Sequence, residues 1–258
     1  MIPAIVPPLM GLSVLVTRPQ PQAATLAAGI AAFGGEPIVF PSIAIEALEV
    51  SSVEPHDLVV FISVHAVEHG ARFIQRTETL RIAAIGSATA SALAAANLPA
   101  NIVPLGEPTS ESLLEHPDLK ALALNRVLIV RGEGGRETLR EAFLSRGSVV
   151  NTLEVYRRVI AATTPTAVTA LEARWAEGDI DVVTATSIET YLKLEQLLTD
   201  RGRELLRETR LLAPTQRIID AAIANGWRGE ALISRGADDR SILGTLARWR
   251  ARARVMPR

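Results

Sequence analysis

VLVTRPQPQAATLAAGIAAFGG, residues 14–35, decides the fold, because the chain carries it a second time. Displaced by 113 residues, it meets VLIVRGEGGRETLREAFLSRGS, residues 127–148. Val14, Leu15, Arg18, Thr25, Leu26 and Gly34 fall on the same residue types at Val127, Leu128, Arg131, Thr138, Leu139 and Gly147. Each copy runs from a short β-branched, apolar segment through a turn into a stretch with helical character that ends at glycine. That is one strand–helix unit, present twice.

A second displacement, of 124 residues, carries Asp57, Val59 and Ser63 onto Asp181, Val183 and Ser187. The order of the two displacements is informative. The element that opens the chain matches a unit in the middle, and the first unit of the middle matches one after residue 180. A tandem duplication does not give that order, whereas a domain interrupted by a circularly permuted copy of itself does. The segments expected to cross between the copies are PSIAIEAL (41–48) and TLEVYRRV (152–159), both extended and alternating, and they are expected to pair as a two-strand hinge.

The rest of the chain keeps the same rhythm. DLVVFIS (57–63), RIAAIG (81–86), NIVPL (101–105), DVVTATS (181–187), RLLAPT (210–215) and EALIS (230–234) read as strands, each followed by a helical stretch. Alternating strands and helices with continuous apolar strands predict an α/β fold with parallel sheets. About ten strands suit two sheets of five better than one. The expected partition is a discontinuous first domain at 1–41 and 161–258, an inserted domain at 49–151, and linker strands at 42–48 and 152–160.

Composition narrows the function. The chain has 258 residues, 48% of them apolar and 21% charged, enough to build a substantial core. Its formal net charge of −1 argues against binding nucleic acid in bulk. There is no cysteine, so disulfides, thiolate catalysis and cysteine metal sites are excluded. MIPAIVPPLM at the start lacks the basic residues of a signal peptide, and no later run is long enough to span a membrane; a cytoplasmic location is expected. Of the 27 basic residues only Lys120 and Lys193 are lysine, and guanidinium groups suit carboxylate or phosphate ligands.

In doubly wound sheets ligands gather at the carboxyl ends of strands. Those ends carry Arg18, Ser63, Gly86, Arg131, Ser187 and Thr215. If the two domains face each other, these line a cleft of hydroxyls, arginines and glycines with no obvious general base. Tyr156 lies in the second crossing strand, as a packing ring or as a phenol that hydrogen-bonds a leaving group. Thr215 caps a helix or faces the cleft. RGEGGRETL (131–139) is a tight turn or an anion-binding helix start. HAVEH (65–69) matches the zinc motif H-x-x-E-H, but it sits at a helix start with no third ligand marked, and reads as an incidental exposed pair.

From residue 12 to about 250 the chain resembles the uroporphyrinogen-III synthase family. VLVTRP and PIVFPSIAI carry the resemblance at the first strands. DLVVFISVHAV is similar to the family's F-T-S-x-N-A-V, with His65 where asparagine is common, and AAIGSATASAL is similar to its I-G-x-x-T-A. LIVRGEGGRETL, EVYRR, VVTATS and LLAPT follow in order.

The resemblance implies two flavodoxin-like domains joined by a two-stranded linker. It implies a cyclising lyase that closes hydroxymethylbilane, a linear tetrapyrrole with eight carboxylates, to uroporphyrinogen III while inverting the last pyrrole ring. That step serves heme, siroheme or cobalamin biosynthesis. No metal or cofactor is implied, and the protein is expected to be a monomer in passing contact with hydroxymethylbilane synthase. Tyr156 is the family-matched candidate to assist loss of the terminal hydroxyl. Arg18, Ser63, Thr89, Arg131, Ser187 and Thr215 match substrate-binding positions. The uncatalysed reaction closes without inversion to the type I isomer, so the enzyme's task is positioning. A noncatalytic tetrapyrrole-binding regulator of the same fold is the alternative.

Overall fold

The computed structural model describes residues 6–50 and 52–255. Half of the leader reading at residues 1–10 therefore lies outside the described residues. In chain order the elements are β1 (Ser13–Val16), α1 (Gln22–Ala32), β2 (Glu36–Val39), β3 (Ile43–Ala47), β4 (Leu58–Phe61), α2 (Val64–Gly70), β5 (Arg81–Ala84) and α3 (Ser87–Ala95). Next come α4 (Ser110–Leu114), α5 (Pro117–Ala121), β6 (Arg126–Gly132), α6 (Thr138–Ser145), β7 (Val149–Ile160), α7 (Pro165–Ala176) and β8 (Val182–Thr184). The chain closes with α8 (Ile188–Leu197), α9 (Asp200–Glu208), β9 (Arg210–Ala213), α10 (Gln216–Ala224), β10 (Ala231–Ile233) and α11 (Asp239–Val255). No described helix is long and apolar enough to cross a membrane.

The fold is α/β with parallel strand pairs in both of its sheets. Contacts divide the chain into one compact unit of residues 1–44 and 159–258 and another of residues 45–158. The first unit holds the sheet β2-β1-β8-β9-β10. Numbered within the unit this is the order 2-1-3-4-5 of a doubly wound sheet. Leu15 of β1 packs with Val183 and Leu211 on one face, while Val14 and Val16 pack with Leu26, Ile30, Ile242 and Leu246 on the other. Alternate residues of one strand thus feed two cores, because successive side chains leave a strand on opposite faces. Pro37 is tolerated in β2 because that strand is an edge and can forgo a donor.

The second unit holds the sheet β3-β7-β6-β4-β5. Phe61, Leu128 and Val130 pack against α2 and α3, and Leu58, Val60 and Val127 pack toward α4 and α6. Beyond β5 the described residues add one isolated bridge, from Ile102 to Ala83. NIVPL, expected to be a strand, shrinks to this one contact. The Asn101 side chain accepts the Ile82 N–H at 2.9 Å, and Pro104 has no N–H to continue a ladder. Counted from β6, the order β7-β6-β4-β5-Ile102 repeats that of the first unit. The two glycines matched in the sequence repeat have one conformation, with φ of 82° at Gly34 and 84° at Gly147, which closes the helix where a side chain would be strained.

Residues 152–156, expected to lie in a linker, are instead part of the second unit's sheet. Thr152, Leu153 and Glu154 pair with Ile129, Val130 and Arg131. Beside β7, Leu48 N–H donates to the Val155 carbonyl, and further along Ala161 N–H donates to the Ser42 carbonyl, so β3 and β7 run in opposite directions.

Candidate active site

Within the second unit the site starts from an irregularity. Arg131 pairs with Glu154, yet Gly132 pairs with Tyr156, so Val155 is an extra residue in β7. This β-bulge breaks the strand's alternation, and Val155 and Tyr156 are buried in succession. It also needs glycine at 132. A Cβ there would lie 2.5 Å from Tyr156 Cζ. The Glu133 N–H donates to the Tyr156 carbonyl at 2.7 Å and fixes the backbone on the far side of the bulge.

The Tyr156 side chain, 1% exposed, lies against the start of α2. Ser63 is the N-cap of that helix, its Oγ accepting the Ala66 N–H at 3.0 Å. The same Oγ lies 3.1 Å from the Tyr156 hydroxyl. Arg158 Nη2 donates to the phenol oxygen at 3.3 Å, and its Cζ stands 5.6 Å from the ring centroid. The imidazoles of His65 and His69, one turn apart on α2, face the ring at 5.6 Å and 6.0 Å between centroids. His65 Nδ1 bonds Glu68 Oε2 at 2.8 Å. Burial holds the His69 pKa below its ordinary value, opposed in part by Glu68.

The zinc-like motif therefore has a different use. His65 and His69 are half-buried packing against Tyr156 rather than an exposed pair. No group of three or more His, Asp or Glu placed to hold a metal ion occurs among the described residues. His65, His69 and Arg158 belong to this cluster and were not among the substrate-site residues expected from the sequence, whereas Gly132 lay at one of the strand ends expected to carry the site. The four-residue spacing of the histidines signalled a shared helix face, but the bulge that brings Tyr156 to that face leaves no mark in the sequence.

Two further candidates belong to the same unit. Arg131 is 9% exposed, and its guanidinium donates to Glu137 at 2.8 Å and Glu154 at 3.3 Å, closing the glycine-rich turn. The turn itself runs through Gly134 and Gly135, both at positive φ. Thr89 is buried on α3, whose N-cap is Gly86.

In the first unit, taken by itself, Arg18 is 8% exposed and donates to the Asp239 carboxylate and the Ala237 carbonyl, tying the end of β1 to the start of α11. Thr17 donates to the Thr184 carbonyl, and Thr184 to that of Leu15 at 3.0 Å. Ser187 caps α8, accepting the Thr190 N–H at 3.0 Å and bonding the Thr190 hydroxyl at 2.8 Å. Thr215 occupies the N-cap position of α10, but its hydroxyl makes no capping bond and is exposed. Capping does not account for it.

Comparison with known proteins gives a consistent set of relatives. The family model described as "Uroporphyrinogen-III synthase HemD" matches residues 24–241. Uroporphyrinogen-III synthase from Salmonella typhimurium is 33% identical over 250 residues, 91% of this chain and 100% of that protein. The Escherichia coli protein of the same name is 30% identical over 249 residues, with the same coverage of both. Among solved structures, a mutant uroporphyrinogen III synthase from Thermus thermophilus aligns with a TM-score of 0.57 at 20% identity, over 95% of this chain and 100% of that one. The Helicobacter pylori uroporphyrinogen-III synthetase aligns with a TM-score of 0.59 at 12% identity, over 94% and 99%. At those identities the structures speak for the fold alone.

Proposed function

As the chain belongs to the uroporphyrinogen-III synthase family, we propose that it is the cyclising lyase that converts hydroxymethylbilane to uroporphyrinogen III, inverting the last pyrrole ring. The observation that carries the proposal to particular atoms is the run of donors from Arg158 through Tyr156 to Ser63. A guanidinium can only donate, so the phenol oxygen accepts from Arg158. The phenol oxygen can also accept a second bond, so this contact alone does not orient its hydrogen; we assign that hydrogen to Ser63 Oγ and the Ser63 hydrogen to the side away from Tyr156. Ser63 is half-buried whereas Tyr156 is covered. In this reading Ser63 touches the substrate and Tyr156 acts through it.

The departing hydroxyl takes a proton from Ser63 and leaves as water, with the C–O bond electrons. Ser63 takes the phenol's proton. The phenoxide so formed lies beside Arg158, whose charge favours it. The substrate is left as an azafulvenium cation. The substituted carbon of the last pyrrole ring attacks it to give a spiro intermediate, and breaking that carbon's older bond, reclosure at the free carbon and loss of a proton leave the ring inverted. Thr215, with an exposed hydroxyl that bonds nothing in its helix, is the strongest further candidate to touch substrate. Arg18 and Arg131 already face protein carboxylates, and we assign them to holding the strand-end turns. Thr89 and Ser187 shape those ends.

We also read the two units as flavodoxin-like domains, the first discontinuous and the second a permuted copy. The two sheet orders and the matching glycines support this. A monomer in the cytoplasm, meeting hydroxymethylbilane synthase in passing, completes the reading.

The test is product analysis. Hydroxymethylbilane is generated in situ by its synthase, this protein is added, and the porphyrins are separated after oxidation. Type III in excess is expected. Type I at the spontaneous rate would overturn the enzyme and leave a noncatalytic tetrapyrrole-binding regulator.

A further inference from the structure

The donor run works only while the phenol oxygen stays on Ser63, so what holds the ring matters. The ring lies against the Gly132 backbone. It also meets the imidazole of His65, with the two planes 62° apart, an edge-to-face contact. The His65 side chain is only 12% exposed and is anchored by Glu68, three residues on in the same helix, at 2.8 Å. An ionised carboxylate only accepts, so Nδ1 carries the hydrogen in that bond. The bond fixes the rotation of the imidazole and thereby which edge or face it offers Tyr156.

We propose that His65, held by Glu68, is a positioning residue that fixes the Tyr156 ring so that its hydroxyl stays on Ser63. This rests on the proposed role of the Ser63–Tyr156 pair and adds to it two residues that never touch the substrate. Small misplacement of a reacting group costs up to about a hundredfold in rate, and an untethered aromatic ring pivots about its two side-chain torsions. Ser63, His65 and Glu68 follow one another within the first six residues of the capped helix. The group that receives the proton and the group that aims its donor are therefore set by one rigid element.

His65→Ala is expected to lower kcat about tenfold with KM within about twofold. His65→Phe keeps an aromatic edge against Tyr156 and is expected to recover most of that loss. Glu68→Ala, which frees the imidazole, loses kcat in the same direction by less. Added to Tyr156→Phe, His65→Ala is expected to do nothing more, because no hydroxyl remains to aim. Losses that multiply in the double variant, or an unchanged kcat in His65→Ala, would overturn the proposal.

A second readout does not depend on turnover. The chain has four histidines, and ring currents from Tyr156 reach two of them. In proton spectra the imidazole signals of His65 and His69 should move in Tyr156→Leu, while those of His56 and His116 stay. An unmoved His65 signal overturns the contact itself. If the wild-type protein forms no type III product, the functional reading fails, and the spectra still decide whether His65 holds the ring.

Discussion

Tyr156 occupies the space where Gly132 would carry a side chain: a Cβ at 132 would come within 2.5 Å of the ring's Cζ and 3.0 Å of its hydroxyl oxygen. The two residues are paired across the bulge between β6 and β7, so neither can shift without breaking the ladder. Gly132→Ala should destabilise the protein by about 1–3 kcal/mol, as added atoms in a packed interior do. It should also reduce kcat by moving the phenol off Ser63. Urea unfolding together with single-turnover rates would check both, and a variant with normal activity would show that the ring has room to move.

Removing only the phenol hydroxyl separates chemistry from packing. Tyr156→Phe keeps the ring against His65 and Gly132, and Ser63 keeps its bond to Ala66. The expected stability loss is about 0.5–1.5 kcal/mol, that of one hydrogen-bonding group. The expected loss in kcat is larger, on the order of 10²–10⁴, the range for a proton-supplying group. Equal small losses in both would reduce Tyr156 to packing.

Glu195 is a buried carboxyl on α8, close to Tyr191, whose own hydroxyl has no hydrogen-bond partner among the described residues. Burial pushes the Glu195 pKa up, against the pull of Arg207 and Arg203. In the unfolded chain the group ionises first as pH rises. Its contribution to stability is therefore fully present below the unfolded value and is lost as pH climbs through the raised one. Glu195→Gln removes this dependence. Urea midpoints should show the variant gaining on the wild type between acidic and mildly alkaline pH, with the gap closing toward pH 4. A gap that widens on acidification would contradict the sign.

Arg18 ties β1 to α11 through Asp239. Arg18→Met leaves that carboxylate without its partner, and because Asp239 is about a third exposed, water meets part of the cost. A loss of about 1–3 kcal/mol is expected, with KM for the substrate little changed. A large rise in KM at unchanged stability would return Arg18 to the substrate's carboxylates.

The two helix-start hydroxyls of the first unit offer a matched pair. Ser187→Ala removes a capping bond and should cost about 1 kcal/mol. Thr215→Ala removes no such bond and should cost less than about half of that, while raising KM if Thr215 meets substrate. Thermal midpoints and KM values measured side by side decide this.

Much of the molecule was legible along the chain. The ten strands among the described residues and most of the helices follow from local signals: β-branched runs, alanine-rich stretches, and glycines such as Gly34 and Gly147 whose left-handed conformation ends a helix. NIVPL was over-read because apolar content alone does not show that Asn101 and Pro104 break the ladder. The site was only partly legible. Ser63 and Tyr156 could be named, but not joined, since they lie 93 residues apart.

What the sequence by itself determined was the order and type of the elements and the residues at the strand ends, since both depend on near neighbours and on turn chemistry. Only the tertiary structure decided which of those residues meet. The bulge at Val155 turned Tyr156 into the interior, Arg18 found Asp239 across 221 positions, and the histidines of a zinc-like motif became the wall of a tyrosine site. Strand register and burial are set by the packing of distant segments against one another, and a local pattern does not carry that energy.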